Sequence, residues 1–329
     1  MTANAHGNFS GKRLVIFGAG YVGAAIAREG LVRGMRVVAL TRNEEKAAAL
    51  RAAGAEVVVA DLADHGWHDR IPGGADFVLN CVSSGGGGLS GYERSYLGGM
   101  KSIIGWSRAK GTAGTLVYTS STSVYPQGGG FRVDERAETD GTGERASVLV
   151  AAENLLRASS TRDVSHGELG KTVSTAKGDR AAPGPSSPRS DAAARWFILR
   201  LAGIYGPGRH HLLEQVKARE VAGRGDYQLN LIHLEDICAA VWSAFQAPSE
   251  VKDVVLNVAD DGAATKAEIT SWIAAQLGIP APHFSGEPAA GRRAVTPDRI
   301  IVNTKLKTML GWTPRYRSFQ EGYASLLRA

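Results

Sequence analysis

Cysteine is scarce: Cys81 and Cys238 are the only two among 329 residues, and each lies in an apolar run that reads as core. Two such thiols give no disulfide framework and point to a reducing, cytoplasmic compartment. Long apolar runs are missing too. None approaches the roughly 20 residues a helix needs to cross a bilayer, so no membrane partner is expected. The opening Met-Thr-Ala-Asn-Ala-His-Gly-Asn lacks the charged-then-apolar layout of a secretory signal. Aromatics make up only 7% of the chain and interleave with no basic stripe, so the formal charge of +6 does not indicate nucleic acid. Residues 157–195 hold seven Lys/Arg against four Asp/Glu, which accounts for part of that charge. A general attraction to anionic cofactors and substrates explains the sign as well. Metal ligands are not grouped either. His210 and His211 are adjacent, so they point apart, and no Cys or carboxylate cluster accompanies them.

The informative residues are 13–23, Arg-Leu-Val-Ile-Phe-Gly-Ala-Gly-Tyr-Val-Gly, an apolar strand running into Gly-x-Gly-x-x-Gly and then a helical run. Gly18 permits the tight turn, Gly20 lets backbone approach a pyrophosphate, and Gly23 lets helix pack on strand. The free N–H groups of the helix start, with Tyr21 and Val22, then face the phosphates. The second strand, 36–40, ends in Thr41-Arg42-Asn43 and carries no carboxylate there. An Asp or Glu at that point favours NAD through the ribose hydroxyls. A guanidinium suits a 2′-phosphate, so the expected cofactor is NADP, with NAD as the alternative.

Apolar runs predict strands near 13–17, 36–40, 56–60, 76–82, 115–119 and 196–201. Helices are predicted near 21–33, 44–53, 92–109, 146–158, 234–246 and 265–277, with a further strand at 253–257 and helical fragments at 304–310 and 318–328. Alternating strands and helices define an α/β chain with a Rossmann-like, doubly wound parallel sheet covered on both faces. Right-handed crossovers place Gly18, Asp61-Leu62, Asn80-Cys81-Val82-Ser83 and Thr119-Ser120-Ser121 on one rim. The stretch 159–194, rich in Ser, Gly, Pro and charge, reads as a disordered insertion. Residues 11–203 therefore read as an NAD(P)-binding domain. Residues 204–329 read as a small substrate-binding region, parts of which return to the sheet.

Several landmarks stand in a fixed order: Gly18 to Gly23, Asp61-Leu62, Tyr118-Thr119-Ser120-Ser121-Thr122-Ser123-Val124-Tyr125, Ile198 to Arg209, Asn230 to Asp236, and Val255 to Asp260. Together they resemble the extended short-chain dehydrogenase/reductase superfamily, the NAD-dependent epimerase/dehydratase group, over nearly the whole chain outside 159–194 and the first ten residues. The resemblance implies that Asp61 and Leu62 contact the adenine and that Ser121 faces the nicotinamide. It also implies an active site between the two regions and a small-molecule substrate. Helices near 92–109 and 146–158 would pair in a homodimer.

The departures matter as much. The family's proton chemistry uses a Tyr and a Lys four apart on one helix, and no Tyr-x-x-x-Lys occurs in this chain. Aligning Glu153 with the family's acidic residue puts Arg145 at the Tyr position and Leu149 at the Lys position. Thr122-Ser123 replace the acidic pair of dehydratases, and Tyr96 stands where an active-site Asn is usual. Tyr125 or Tyr96 is the expected substitute phenol, with Ser121 orienting the substrate. Arg209 is a candidate anchor for a phosphate of substrate or cofactor. His233, Asp236 and Trp312 read as packing or capping residues. The chain is thus expected to be an atypical oxidoreductase or epimerase acting by hydride transfer on a small polar or sugar-like substrate. The alternative is a catalytically inactive NADP-binding sensor or scaffold.

Overall fold

The computed structural model describes residues 9–160, 193–287 and 297–328. Its first strand, β1 (Arg13–Phe17), is buried from Leu14 onward on both faces. Leu14 and Ile16 enter one core, while Val15 and Phe17 enter another on the opposite side, as the two-residue period of a strand requires. The sheet continues with β2 (Arg36–Thr41), β3 (Glu56–Val59), β4 (Phe77–Asn80) and β5 (Ala113–Ser121). With β6 (Phe131–Val133) forming a separate pair, the main sheet resumes at β7 (Ala193–Leu201).

The connecting helices are α1 (Tyr21–Val32), α2 (Glu44–Ala52), α3 (Gly88–Tyr92), α4 (Gly99–Lys110) and α5 (Glu144–Ala158). A π-helical turn, Glu93–Gly98, joins α3 to α4. Beyond β7 come β8 (Gly203–Tyr205), α6 (His211–Lys217), β9 (Glu220–Val221), β10 (Leu231–His233), α7 (Leu234–Gln246) and β11 (Val254–Val258). The chain closes with α8 (Lys266–Gln276), β12 (His283–Phe284), β13 (Arg299–Ile301), α9 (Thr304–Leu310) and α10 (Phe319–Arg328).

Seven parallel strands form the main sheet in the order β11-β7-β5-β4-β1-β2-β3. Strand order reverses between β1 and β4, and the crevice at that reversal is where such sheets bind ligands. Trp67 and Trp106 pack on Phe17 beneath one face; Ile26, Ile237 and Val241 cover the other. β11 and α7 thus return from the C-terminal part of the chain to complete the sheet and its cover. A third core joins α6, α8 and α10 through Leu213, Val216, Ile269, Ile273 and Phe319. Thr265 and Glu268 cap α8 reciprocally, which satisfies two otherwise orphaned N–H groups.

The strands and long helices lie where the apolar patterning predicts them, with three corrections. The helix expected at 92–109 begins four residues earlier and is interrupted by the π turn. β5 runs on through Ser121. Ala193 and Ala194 belong to β7 and pair beside Ala113 and Gly114, so they are not part of an irregular segment. Ser159 and Ser160 close α5; the remainder of the predicted insertion, 161–192, lies outside the described residues. Among the described residues no helix is long and apolar enough to cross a membrane.

Candidate functional site: a dinucleotide cleft with an atypical reactive end

A cleft of about 1460 Å³ opens along the C-terminal rim of the sheet and extends into the α6–α8 region. Its floor begins at the glycine turn. A Cβ on Gly18 would lie 2.6 Å from the Val82 backbone, and the residue has φ +91°. Only glycine fits there. A Cβ on Gly23 would lie 2.5 Å from the Gly18 carbonyl oxygen and 2.8 Å from Cys81 Sγ, so Gly23 permits the close helix–strand packing. Gly20 behaves differently: a Cβ there meets nothing nearer than 3.9 Å and would project into space the protein leaves open. An open cradle at the free N–H end of α1 fits a diphosphate. Gly18, Gly20, Tyr21 and Val22 line the cleft, whereas Gly23 is buried behind it.

At the β2 end the cleft is lined by Thr41, Arg42, Asn43 and Lys46. Thr41 Oγ1 accepts the Asn43 N–H at 3.2 Å, and Asn43 caps α2 through the Lys46 N–H at 2.7 Å. Arg42 reaches the Ser84 carbonyl at 3.4 Å and lies 3.9 Å from Asp61. Asp61 itself accepts the Ala63 N–H at 2.9 Å, capping the following turn, and pairs with Arg94 at 3.0 Å. Burial opposes its charge, but the Ala63 N–H and the Arg94 guanidinium outweigh it and hold the carboxyl below the usual carboxylate range. Asp61, Leu62 and Ser83 all line the same cleft.

At the β5 end, Thr119, Ser120 and Ser121 line the wall. Ser121 Oγ accepts the Ser123 N–H at 3.1 Å, so its own proton is available to a ligand. Ser120 donates to Glu153 at 2.7 Å, and Glu153 forms a buried ion pair with Arg200 at 2.6 Å. The π turn lines the same cleft with Tyr96, whose ring lies 5.1 Å from that of Tyr92. Burial pushes the Tyr96 phenol up to about 12, opposed by the Ser84 backbone N–H and the charge of Arg209. The structure therefore brings Ser121 and Tyr96 to one cleft.

Tyr125 is not with them. A short 3₁₀ turn, Thr122–Val124, follows β5 and rotates the next residue inward. Tyr125 is fully buried, donates to Asn257 at 2.8 Å and accepts from Arg200 at 2.9 Å. It is a core strut outside the cleft lining, which corrects its expected catalytic role. Leu149, at the Lys position, is likewise packed in the core, and Arg145 is exposed with its guanidinium 5.4 Å over the Tyr92 ring. His233 caps α7, and Asp236 ties down the Arg315 and Tyr316 N–H groups. Trp312 anchors to the Asp236 carbonyl at 3.1 Å.

Sequence reasoning missed the far wall: Gln215 on α6, Arg224 and Tyr227 in the loop after β9, and Lys266 at the start of α8 line the cleft. Lys266 is buried, donates to the Ala222 carbonyl and sits 5.9 Å from the Tyr227 ring centroid. A lysine at the first position of α8, beside the Thr265 cap, was the available signal.

The seven-stranded parallel sheet, glycine turn and rim-lining cleft form a Rossmann-like α/β fold. Residues 14–147 match the NAD dependent epimerase/dehydratase family. That match spans the glycine turn and the first five strands of the main sheet. It is 24% identical to Protein YeeZ of Escherichia coli K12, over 93% of this chain and 96% of that protein. It is 23% identical to dTDP-L-rhamnose 4-epimerase of Burkholderia thailandensis, over 96% and 93% of the two chains. The solved structure of MoeE5 in complex with UDP-glucose and NAD superposes with a TM-score of 0.72 at 19% identity, covering 95% of this chain and 99% of that one. Likenesses at these identities establish the shared fold.

Proposed function

We propose that this protein binds NADP(H) and reduces or epimerises a small sugar-like, nucleotide-linked substrate. The observation that carries the reading is the continuity of the cleft. It runs from the cationic β2 end, past the open Gly20 cradle, between Ser121 and Tyr96, to the polar far wall at Arg224 and Lys266. A dinucleotide fills the first part and leaves the second for substrate. The names of relatives acting on or holding nucleotide sugars support that substrate class. Arg42 and Lys46, with no carboxylate at the end of β2, support NADP over NAD.

The residues fit the cofactor, which when bound supplies or takes up hydride. Tyr21 and Val22, at the start of α1, would present backbone N–H groups to its diphosphate, and Gly20 would leave the room for it. Ser121 hydrogen-bonds the substrate oxygen and orients the carbon toward the hydride position. Tyr96, protonated at neutral pH as phenols are, would donate from Oη as negative charge develops on that oxygen. The test is NADPH consumption across nucleotide-linked keto sugars, aldehydes and quinones. Substrate-dependent loss of NADPH supports the reading.

One observation favours a second reading, an NADP-binding sensor. Arg145 and Leu149 replace the proton-transfer pair, and Leu149 is sealed in the core. Enhanced fluorescence of bound NADPH with no consumption by any substrate in the panel would select the sensor.

A further inference from the structure

The loop after β8 crosses to the start of α1 and makes three separate contacts there. Tyr21, the first residue of α1, donates its hydroxyl to the Pro207 carbonyl at 2.8 Å. The Arg209 guanidinium lies 5.6 Å from the Tyr21 ring centroid, within cation–π range. Gly206 passes so close that a Cβ would stand 2.8 Å from the Tyr21 hydroxyl.

The loop is also stiff. Gly206 and Arg209 exchange both backbone hydrogen bonds, at 3.0 and 2.9 Å, around a Pro207-Gly208 turn in which Gly208 has φ +71°. Pro at the first corner and a left-handed Gly at the second form the favoured type II arrangement. This fixes Arg209 at the cleft wall, where it is exposed. Among the described residues no carboxylate pairs with it. A fixed cation beside the open N-terminus of α1 adds to the partial positive charge already there. That combination is unfavourable with nothing bound and favourable around a diphosphate.

We propose that Tyr21 and Arg209 form a clamp that closes the 206–209 loop over the cofactor's diphosphate bridge and slows cofactor release. The proposal rests on the dinucleotide reading of the glycine turn. It adds that the C-terminal part of the chain holds the cofactor from above, so that the dinucleotide leaves slowly compared with substrate. Arg209 serves the bridge shared by all pyridine dinucleotides, in contrast to Arg42, which would read the 2′-phosphate.

The experiment is stopped-flow release of NADPH from the full chain, displaced by excess NADP, for wild type, Arg209→Ala, Arg209→Lys and Tyr21→Phe. Release should quicken about tenfold or more in Arg209→Ala, a loss equal to one charge-assisted hydrogen bond. Arg209→Lys should fall between that variant and wild type, and Tyr21→Phe should quicken release by a smaller factor. Affinity for ADP-ribose, which carries the diphosphate bridge, should drop with Arg209→Ala, whereas affinity for adenosine 2′-monophosphate, which lacks it, should not. Because Arg209 is exposed, melting of the unliganded variant should match wild type. Unchanged release in Arg209→Ala overturns the clamp, as does lost UDP affinity with unchanged NADPH release, which assigns Arg209 to the substrate. Failure of the wild type to bind any pyridine nucleotide would remove the dinucleotide reading and the clamp together.

Discussion

Replacing Arg42 by alanine should separate the two pyridine dinucleotides. Arg42 is about half exposed and loosely held, 3.9 Å from Asp61 and 3.4 Å from the Ser84 carbonyl. Both contacts are long, so turning the guanidinium to a 2′-phosphate sacrifices little. An opposite unit charge at 4 Å attracts by about 1 kcal/mol in water and about 4 kcal/mol at an effective dielectric of 20. A half-exposed site lies between, and salt screens part of it. A net contribution of about 2 kcal/mol follows, equal to about 30-fold in Kd. Fluorescence titration of Arg42→Ala should therefore show NADPH weakened about 30-fold and NADH changed by less than about threefold. Raising the salt should shrink the wild-type preference and leave the variant flat. Equal weakening of both cofactors, or of neither, would refute the assignment.

Three further outcomes follow from the geometry. Tyr96→Phe should cut turnover on any substrate found by about 10²–10⁴-fold, while Tyr125→Phe should keep turnover and lose stability, since it removes one buried hydrogen bond from each of Asn257 and Arg200; paired kinetics and melting curves check both. Glu153→Gln should cost about 3–5 kcal/mol by stranding the buried Arg200 cation, seen as a lower denaturant midpoint at constant slope. Asp260 is raised to about 8, chiefly by burial. Its unfolded form ionises near 3.8, so the folded state binds more protons between those values and stability falls as pH rises through that window. Asp260→Asn should thus match wild type near pH 4 and melt higher than wild type near pH 8, with a flatter pH profile between.

What the sequence made legible was the part built from local pattern. β1, its glycine turn and α1 are contiguous, and the chemistry of Gly18, Gly20 and Gly23 follows from their spacing. α7 and α9 fall on the predicted residues because their apolar period is unbroken. The short strands β6, β8, β9, β10, β12 and β13 escaped because two or three residues carry no period. Their pairing is between distant segments, as in Phe131 beside Arg299. Tyr125 was misjudged because it follows the C-terminal end of β5, on the crevice rim, and after the 3₁₀ turn at 122–124 its ring lies in the core instead. The far wall at Gln215, Arg224 and Lys266 is assembled from α6, a loop and the start of α8, whose order in the chain says nothing about their proximity. Arg209 was visible as a residue, but its place over α1 needed the fold.

The account depends most on the open cradle at Gly20, and isothermal titration of the full chain with NADPH and NADH tests it directly. We expect saturable one-site binding in the wild type, stronger for NADPH. Gly20→Ala, which places a methyl in space the protein leaves open, should melt like wild type and bind weakly. Heats indistinguishable from dilution for both nucleotides would contradict it.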